Sequence, residues 1–250
     1  MIGLPLLDCH AHIAPDVTPR QLARLGSAII FAVTRSPAEA TKVSSRLDRH
    51  VVWGCGLHPS FVAKGGDADL STFLRQLHHF AFVGEVGLDR RSGHIERQTQ
   101  VLAQVLEAVA GQPVLLSLHS NGCVDELLDL LEAHPHDGYV LHWFVGDELQ
   151  LERALGLRCY FSVNIAMPDE LLARIPLDRL LPETDYPALR RSKGGLPGDT
   201  QRLEANIARL LGLEILEVRR AWYRNLRKIS LSTGAIDRMP RDLADLLVVV

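Results

Sequence analysis

Eight short apolar runs, each followed by a helix-length amphipathic stretch, alternate along this chain, and few folds accept that pattern. Parallel strands cannot be joined by tight turns; each needs a crossover of a dozen or more residues, which a helix supplies. The runs cover residues 4–10, 27–34, 51–57, 81–84, 114–118, 139–142, 159–163 and 180–183. Helices are expected from Thr18, Pro37, Asp69, His94, Val124, Asp147 and Pro168, then over residues 200–211 and 215–227. The first of the last two puts Leu203, Ile207, Leu210 and Leu211 on one face, with Gly212 as its stop. Its neighbour repeats the pattern with Ile215, Val218, Trp222 and Leu226. Eight strands in a βα series suit a closed barrel better than an open sheet. The expected fold class is α/β, a (β/α)8 TIM barrel, and the 250 residues suit a single such domain.

The barrel is assigned to residues 1–229 and a C-terminal extension to residues 230–250. The extension carries Leu243, Leu246, Leu247 and three final valines. It reads either as a last helix or strand closing the underside of the barrel, or as a tail that docks a protein partner. The loop over residues 190–198, with Gly194, Gly195 and Pro197, reads as the most mobile interior segment. An apolar share of 47% supports a sizeable core, and a net charge of −3 excludes a generally basic, nucleic-acid-coating surface. A nuclease working on strand ends needs only a local positive patch, so that class stays open. Cys9, Cys55, Cys123 and Cys159 show no metal-finger or redox spacing, as expected of structural thiols in a reducing compartment. The first residues form no basic leader, and no apolar run nears the ~20 residues of a membrane span. A cytoplasmic protein without membrane contact is expected.

The first run ends in Asp8-Cys9-His10-Ala11-His12. Residues two apart on a strand share a face, and at the C-terminal end of a barrel strand that face looks into the mouth, where barrel enzymes keep their active sites. Neutral imidazoles there suit a divalent metal, although two histidines hydrogen-bonded in a polar loop would explain the pair alone equally well. Other strand ends add to it. The fourth run leads into Gly84-Glu85-Val86-Gly87-Leu88-Asp89, the fifth to His119, the sixth to His142, and the eighth through Glu183 to Asp185. Singly, Glu85 reads as a helix cap, Asp185 as the partner of an arginine, and His119 or His142 as a satisfied core histidine. Jointly, they would bury titratable groups at a cost on the order of several kcal/mol per unpaired charge. Cations remove that cost, so a metal site is expected.

Taken in order, Asp-x-His-x-His at 8–12, Gly-Leu-His-Pro at 56–59, Gly-Glu-Val-Gly-Leu-Asp at 84–89, Leu-His-Ser at 118–120, His-Trp-Phe at 142–144 and Glu-Thr-Asp-Tyr-Pro at 183–187 resemble the signature of the TatD family of metal-dependent DNases, in the amidohydrolase-like superfamily. Glu96-Arg97-Gln98 and Asn225 are supporting matches, and the resemblance spans residues 4–229. It implies two divalent ions, magnesium, manganese or zinc. His10, His12, Glu85 and Asp185 would hold one; Glu85, His119 and His142 would hold the other, with Glu85 bridging. His58 would face the substrate phosphate. The implied activity is hydrolysis of DNA phosphodiesters as a 3′→5′ exonuclease, on single strands or 3′ ends.

Three departures bear on substrate. Asn121 follows Ser120 where the family has an arginine, Arg90 and Arg91 follow Asp89 where it often has a tyrosine, and the C-terminal tail outruns the usual end. Asn121, Arg90, Arg91 and His58 are therefore placed on the substrate side. A two-metal scheme with ions ~3.5–4 Å apart would use Asp185 as general base, with His58 and the two arginines steadying charge on the phosphate. Asp8 is expected to orient an imidazole rather than to bind metal. A histidine packed at a turn and a solvated arginine pair are the plain alternatives for His58 and for Arg90 and Arg91. Two rival functions remain. The same ligands serve a barrel amidohydrolase acting on a small amide, lactone or ester, and TatD-like proteins also occur as subunits of multi-protein bacterial defence systems. A nuclease needs a cationic groove, for which Arg90, Arg91, Arg190, Arg191 and Lys193 are the candidates.

Overall fold

A computed structural model of the chain describes residues 3–188 and 195–250. Arg190, Arg191 and Lys193, with most of the loop over residues 190–198, lie outside the described residues. Eight strands form one parallel sheet in chain order: β1 (Leu7–Ala11), β2 (Ile29–Ala32), β3 (Val51–Cys55), β4 (Phe82–Asp89), β5 (Leu115–Asn121), β6 (Tyr139–His142), β7 (Tyr160–Val163) and β8 (Leu180–Pro182). The helices are α1 (Pro19–Ala23), α2 (Pro37–Val43), α3 (Pro59–Ala63), α4 (Leu70–Gln76), α5 (Ile95–Val109), α6 (Val124–Ala133), α7 (Glu148–Gly156), α8 (Asp169–Arg174), α9 (Gln201–Leu211), α10 (Ile215–Thr233) and α11 (Arg241–Val249). Every strand except the end of β5 is buried throughout, which is why the runs are almost continuously apolar.

The sheet curls until its ends meet. Across the seam between β8 and β1, the Asp185 N–H donates to the His10 carbonyl at 3.0 Å and the His12 N–H to the Tyr186 carbonyl at 2.7 Å. The Asp8 carboxylate fastens the same seam. It accepts from the Thr184 N–H at 2.9 Å, the Thr184 hydroxyl at 2.6 Å and the Gly198 N–H at 2.8 Å. This corrects the expectation that Asp8 orients an imidazole: from His10 it accepts only the backbone N–H, at 3.3 Å.

Two strands run past their expected ends. β4 continues beyond residue 84 to Asp89, because Val86–Asp89 pair with Leu118–Asn121 of β5 and that pairing outweighs the weak strand propensity of the glycines. Two glycines near this pairing, Gly87 and Gly56, are sterically required. Gly87 has φ 146, and a Cβ there would lie 2.1 Å from the His119 carbonyl oxygen. A Cβ on Gly56 would lie 1.7 Å from that of Thr34. α3 is an addition to the expected helices; Pro59 at its first turn and the His58 side chain as cap nucleate it.

α10 also outruns its expected end at residue 227, because Ile229 and Ser230 extend its buried face and the left-handed Gly234 supplies the stop. α11 buries Leu243 and Leu247 and packs on α10, leaving Val248 and Val249 exposed. All four cysteines are buried and unpaired. No helix among the described residues is long and apolar enough to cross a membrane.

Candidate metal centre

Strands β1, β4, β5 and β6 carry His10, Glu85, His119 and His142, and the segments just past β1 and β8 bring His12 and Asp185 into the same cluster. His12 follows β1 by one residue, and Asp185 stands on the turn after β8 in the left-handed region, φ 43. A non-glycine residue there costs about 1–3 kcal/mol unless its surroundings hold it, and the seam bonds hold this one.

Glu85 is the hub. Its Oε2 lies 3.9 Å from His10 Nε2, 3.3 Å from His12 Nε2 and 3.4 Å from His58 Nε2, while Oε1 lies 2.6 Å from His119 Nδ1 and 3.9 Å from His142 Nε2. Asp185 Oδ1 lies 3.8 Å from His10 Nε2, 3.7 Å from His12 Nε2 and 4.0 Å from His142 Nε2. The His10 and His142 rings stack with centroids 3.6 Å apart.

Charge in this cluster follows from burial and partners. Burial alone would raise the pKa of Glu85, but the hydrogen bond from His119 and the nearness of His12 bring it well below the usual carboxylate value. Burial, aided by His142, pushes His10 well below the usual imidazole value, so it is neutral. Burial likewise takes His58 down to about 4 and Asp185 up to about 6. His142 goes the other way. Burial disfavours its cation, yet Glu183 Oε2 lies 2.8 Å from Nδ1 and, with Asp185 and Glu85 beyond, raises the ring to about 10.

Three atoms test whether this donor set fits a cation. His10 Nε2, Glu85 Oε2 and His119 Nε2 are buried and have no hydrogen-bond partner. Leaving such groups unpaired is costly, on the order of 1–3 kcal/mol for each. Nitrogen and carboxylate oxygen are also the donors that divalent transition metals take. Three ligand groups have their atoms within 4.8 Å of one another: His10, His142 and Asp185; His10, His12 and Glu85; and His58, Glu85 and His119. The residues fit the ion.

Several members of the site went unassigned from sequence. Ser117 Oγ lies 2.7 Å from His10 Nδ1, and the Arg35 Nε donates to His12 Nδ1 at 3.3 Å. Glu183, to which the sequence reading gave no role, accepts from Asn164 Nδ2 at 2.9 Å and from the Ser162 hydroxyl as well as from His142. Strand alternation offered a signal for Ser117, which shares a face with His119. No spacing in the chain points to Arg35.

The cluster floors a cavity of about 990 Å³, lined by His58, Arg35, Arg90, Arg91, Asn121 and Trp143 among others. His58, Asn121, Arg90 and Arg91 thus all reach the cavity, but Arg90 is not a free cation. Its Nε donates to the Gly122 carbonyl at 2.8 Å and its Nη2 pairs with Glu126.

Comparison with known proteins agrees with this architecture. The family described as TatD related DNase matches residues 7–230. The mouse candidate deoxyribonuclease TATDN3 is 27% identical over 257 aligned positions, covering 90% of this chain and 87% of its own. The Edwardsiella piscicida 3′-5′ ssDNA/RNA exonuclease TatD is 34% identical over 58% of this chain and 59% of its own. The crystal structure of YjjV, a TatD homologue from Escherichia coli K12, superposes with a TM-score of 0.75 at 24% identity, covering 89% of this chain and 97% of that one, which supports the fold. With one family match running almost from end to end, the chain belongs to the TatD-related DNase family and is a hydrolase of that family.

Proposed function

We propose that this protein is a nuclease that removes nucleotides from the 3′ ends of single-stranded DNA, using two divalent cations at the barrel mouth. The observation that carries the reading is the buried hub at Glu85, with partnerless His10 Nε2, Glu85 Oε2 and His119 Nε2 beneath an arginine-bearing cavity. His10, His12, Glu85 and Asp185 would hold one ion, and Glu85, His119 and His142 the other. Divalent cations in such a site supply Lewis acidity, acidifying water and offsetting charge on phosphoryl oxygens.

The chain's own groups complete the chemistry. Asp185, with its pKa lifted to about 6 by burial, is ionised at neutral pH and basic enough to take the proton of an attacking water. His58 acts as a donor. The Ser60 N–H donates to its Nδ1 at 3.0 Å, so the single ring proton of the neutral imidazole sits on Nε2, on the side of Glu85 and the cavity. It offers that proton to a non-bridging phosphate oxygen without changing charge. Because the donor to its Nδ1 is a backbone N–H that cannot turn away, His58 keeps this tautomer, which sets it apart from the ligands despite its nearness to Glu85.

The test is a metal-replete screen of single-stranded DNA, RNA and small esters, with chelated controls and the Glu85→Gln variant. Metal-dependent release of nucleotides from the 3′ end, lost in the variant, is expected. Turnover of esters alone, or undiminished activity in Glu85→Gln, would refute the reading.

A further inference from the structure

Arg35 stands just past β2 on the cavity wall, beside His12 and His58. The base of its side chain is held on both sides. Its N–H donates to Glu39 Oε2 at 2.7 Å, and its carbonyl accepts from the His58 N–H at 3.0 Å. Its guanidinium is placed differently from those of several other arginines, which are ion-paired. Arg46 pairs with Asp48, Arg153 with Asp129 and Glu132, Arg219 with Glu204, and Arg90, in this same cavity, with Glu126. Among the described residues no carboxylate pairs with Arg35; its one side-chain hydrogen bond is the 3.3 Å contact to His12 Nδ1. Arg91 also lines the cavity without an ion pair, but no contact ties it to the cluster.

The bond to His12 is one the site must surrender. A neutral imidazole carries one ring proton, and while Nδ1 accepts from Arg35 that proton occupies Nε2, the atom facing Glu85 and Asp185. For Nε2 to offer its lone pair to a cation, the proton must sit on Nδ1, where the Arg35 N–H points. Donor then meets donor, and the guanidinium turns into the cavity.

We infer that Arg35 is the side chain that grips the substrate's phosphate, so that an anionic phosphodiester, not a neutral ester or amide, is what this cavity selects. The inference rests on the nuclease reading above. A guanidinium presents N–H groups in a planar fork that matches two phosphate oxygens, and an arginine with no carboxylate partner has no internal competitor for that anion.

The test measures binding, not turnover, in the magnesium-loaded protein. A phosphorothioate oligothymidylate serves as the probe, followed by fluorescence anisotropy across a salt series. Arg35→Gln should weaken binding on the order of tenfold at about 0.1 M salt, as loss of a charge-assisted hydrogen bond does. It should also reduce the slope of log K against log salt by about 0.7, the contribution of one phosphate on a single strand. Arg35→Lys should keep the slope and lose part of the affinity. Manganese binding followed by electron paramagnetic resonance should not weaken in Arg35→Gln, and should gain whatever the bond to His12 had opposed. An unchanged slope, or a parallel loss of manganese, would overturn the inference while leaving the nuclease reading standing. A wild-type protein that neither binds nor cleaves the strand would overturn both.

Discussion

The proton on His142 offers a direct measure of how the centre is poised. Glu183 Oε2, 2.8 Å from Nδ1, holds the ring as a cation, its pKa raised to about 10 against the burial that opposes it. To donate Nε2 to a metal, the ring must release one proton. At pH 7 the gap of about three units is roughly a thousandfold competition, about 4 kcal/mol. Glu183→Gln keeps an acceptor in reach of Nδ1 and removes the charge, so burial prevails and the ring turns neutral. Apparent affinity then moves under two opposed effects: relief of that competition, and loss of an orienting carboxylate, which typically costs 10–100-fold. The proton count has no such ambiguity. Isothermal titration of manganese at pH 8, in buffers of different ionisation enthalpy, should show the wild type releasing about one proton more than the variant. Any proton lost by water at the ions is common to both proteins and cancels. Equal release from two folded proteins would refute the assignment of an imidazolium at His142.

Two further outcomes follow from neighbouring groups. Asp185, lifted to about 6 by burial, becomes protonated as pH falls through that value and ceases to be an anionic donor, so log affinity for manganese against pH should steepen by about one unit of slope below pH 6; a constant slope would contradict this. Asp8→Ala should strip the Thr184 and Gly198 N–H groups of their acceptor and lower stability by about 2–5 kcal/mol in urea unfolding, whereas a shift below ~1 kcal/mol would remove Asp8 from the seam.

The sequence disclosed the strand ends better than what surrounds them. His10, His119 and His142 close apolar runs, and Glu85 and Asp185 follow two more, so the positions that face the mouth could be read from alternation and topology alone. The partners that set each imidazole's proton could not. Ser117, Arg35 and Ser60 are common polar residues whose importance lies in a contact with a ring from elsewhere in the fold, or in one local turn. Asp8 shows the converse error. Its spacing to His10 predicts a shared face, but the carboxylate is drawn across the seam by Thr184 and Gly198, distant in the chain. The end of β4 was missed for a similar reason: Gly84 and Gly87 weaken local propensity, and only β5 restores the strand.

The cluster and the cavity wall answer different questions about this enzyme. Nitrogen and carboxylate donors around paired cations activate water against a phosphoester or a carbonyl alike, so the floor of the cavity leaves the substrate undetermined. Discrimination falls to groups that meet the substrate but not the ions. Glu126 neutralises Arg90 at one side of the cavity, and Asn121 at the end of β5 brings no charge. Among the described residues that leaves positive charge at Arg91 and, on the β2 side, at Arg35, and of these Arg35 is the one tied to His12, through a bond that competes with metal ligation. In this arrangement the ions and the arginine are not independent. Loading His12 frees the guanidinium, so the cavity becomes most receptive to an anion once the means to hydrolyse it is in place.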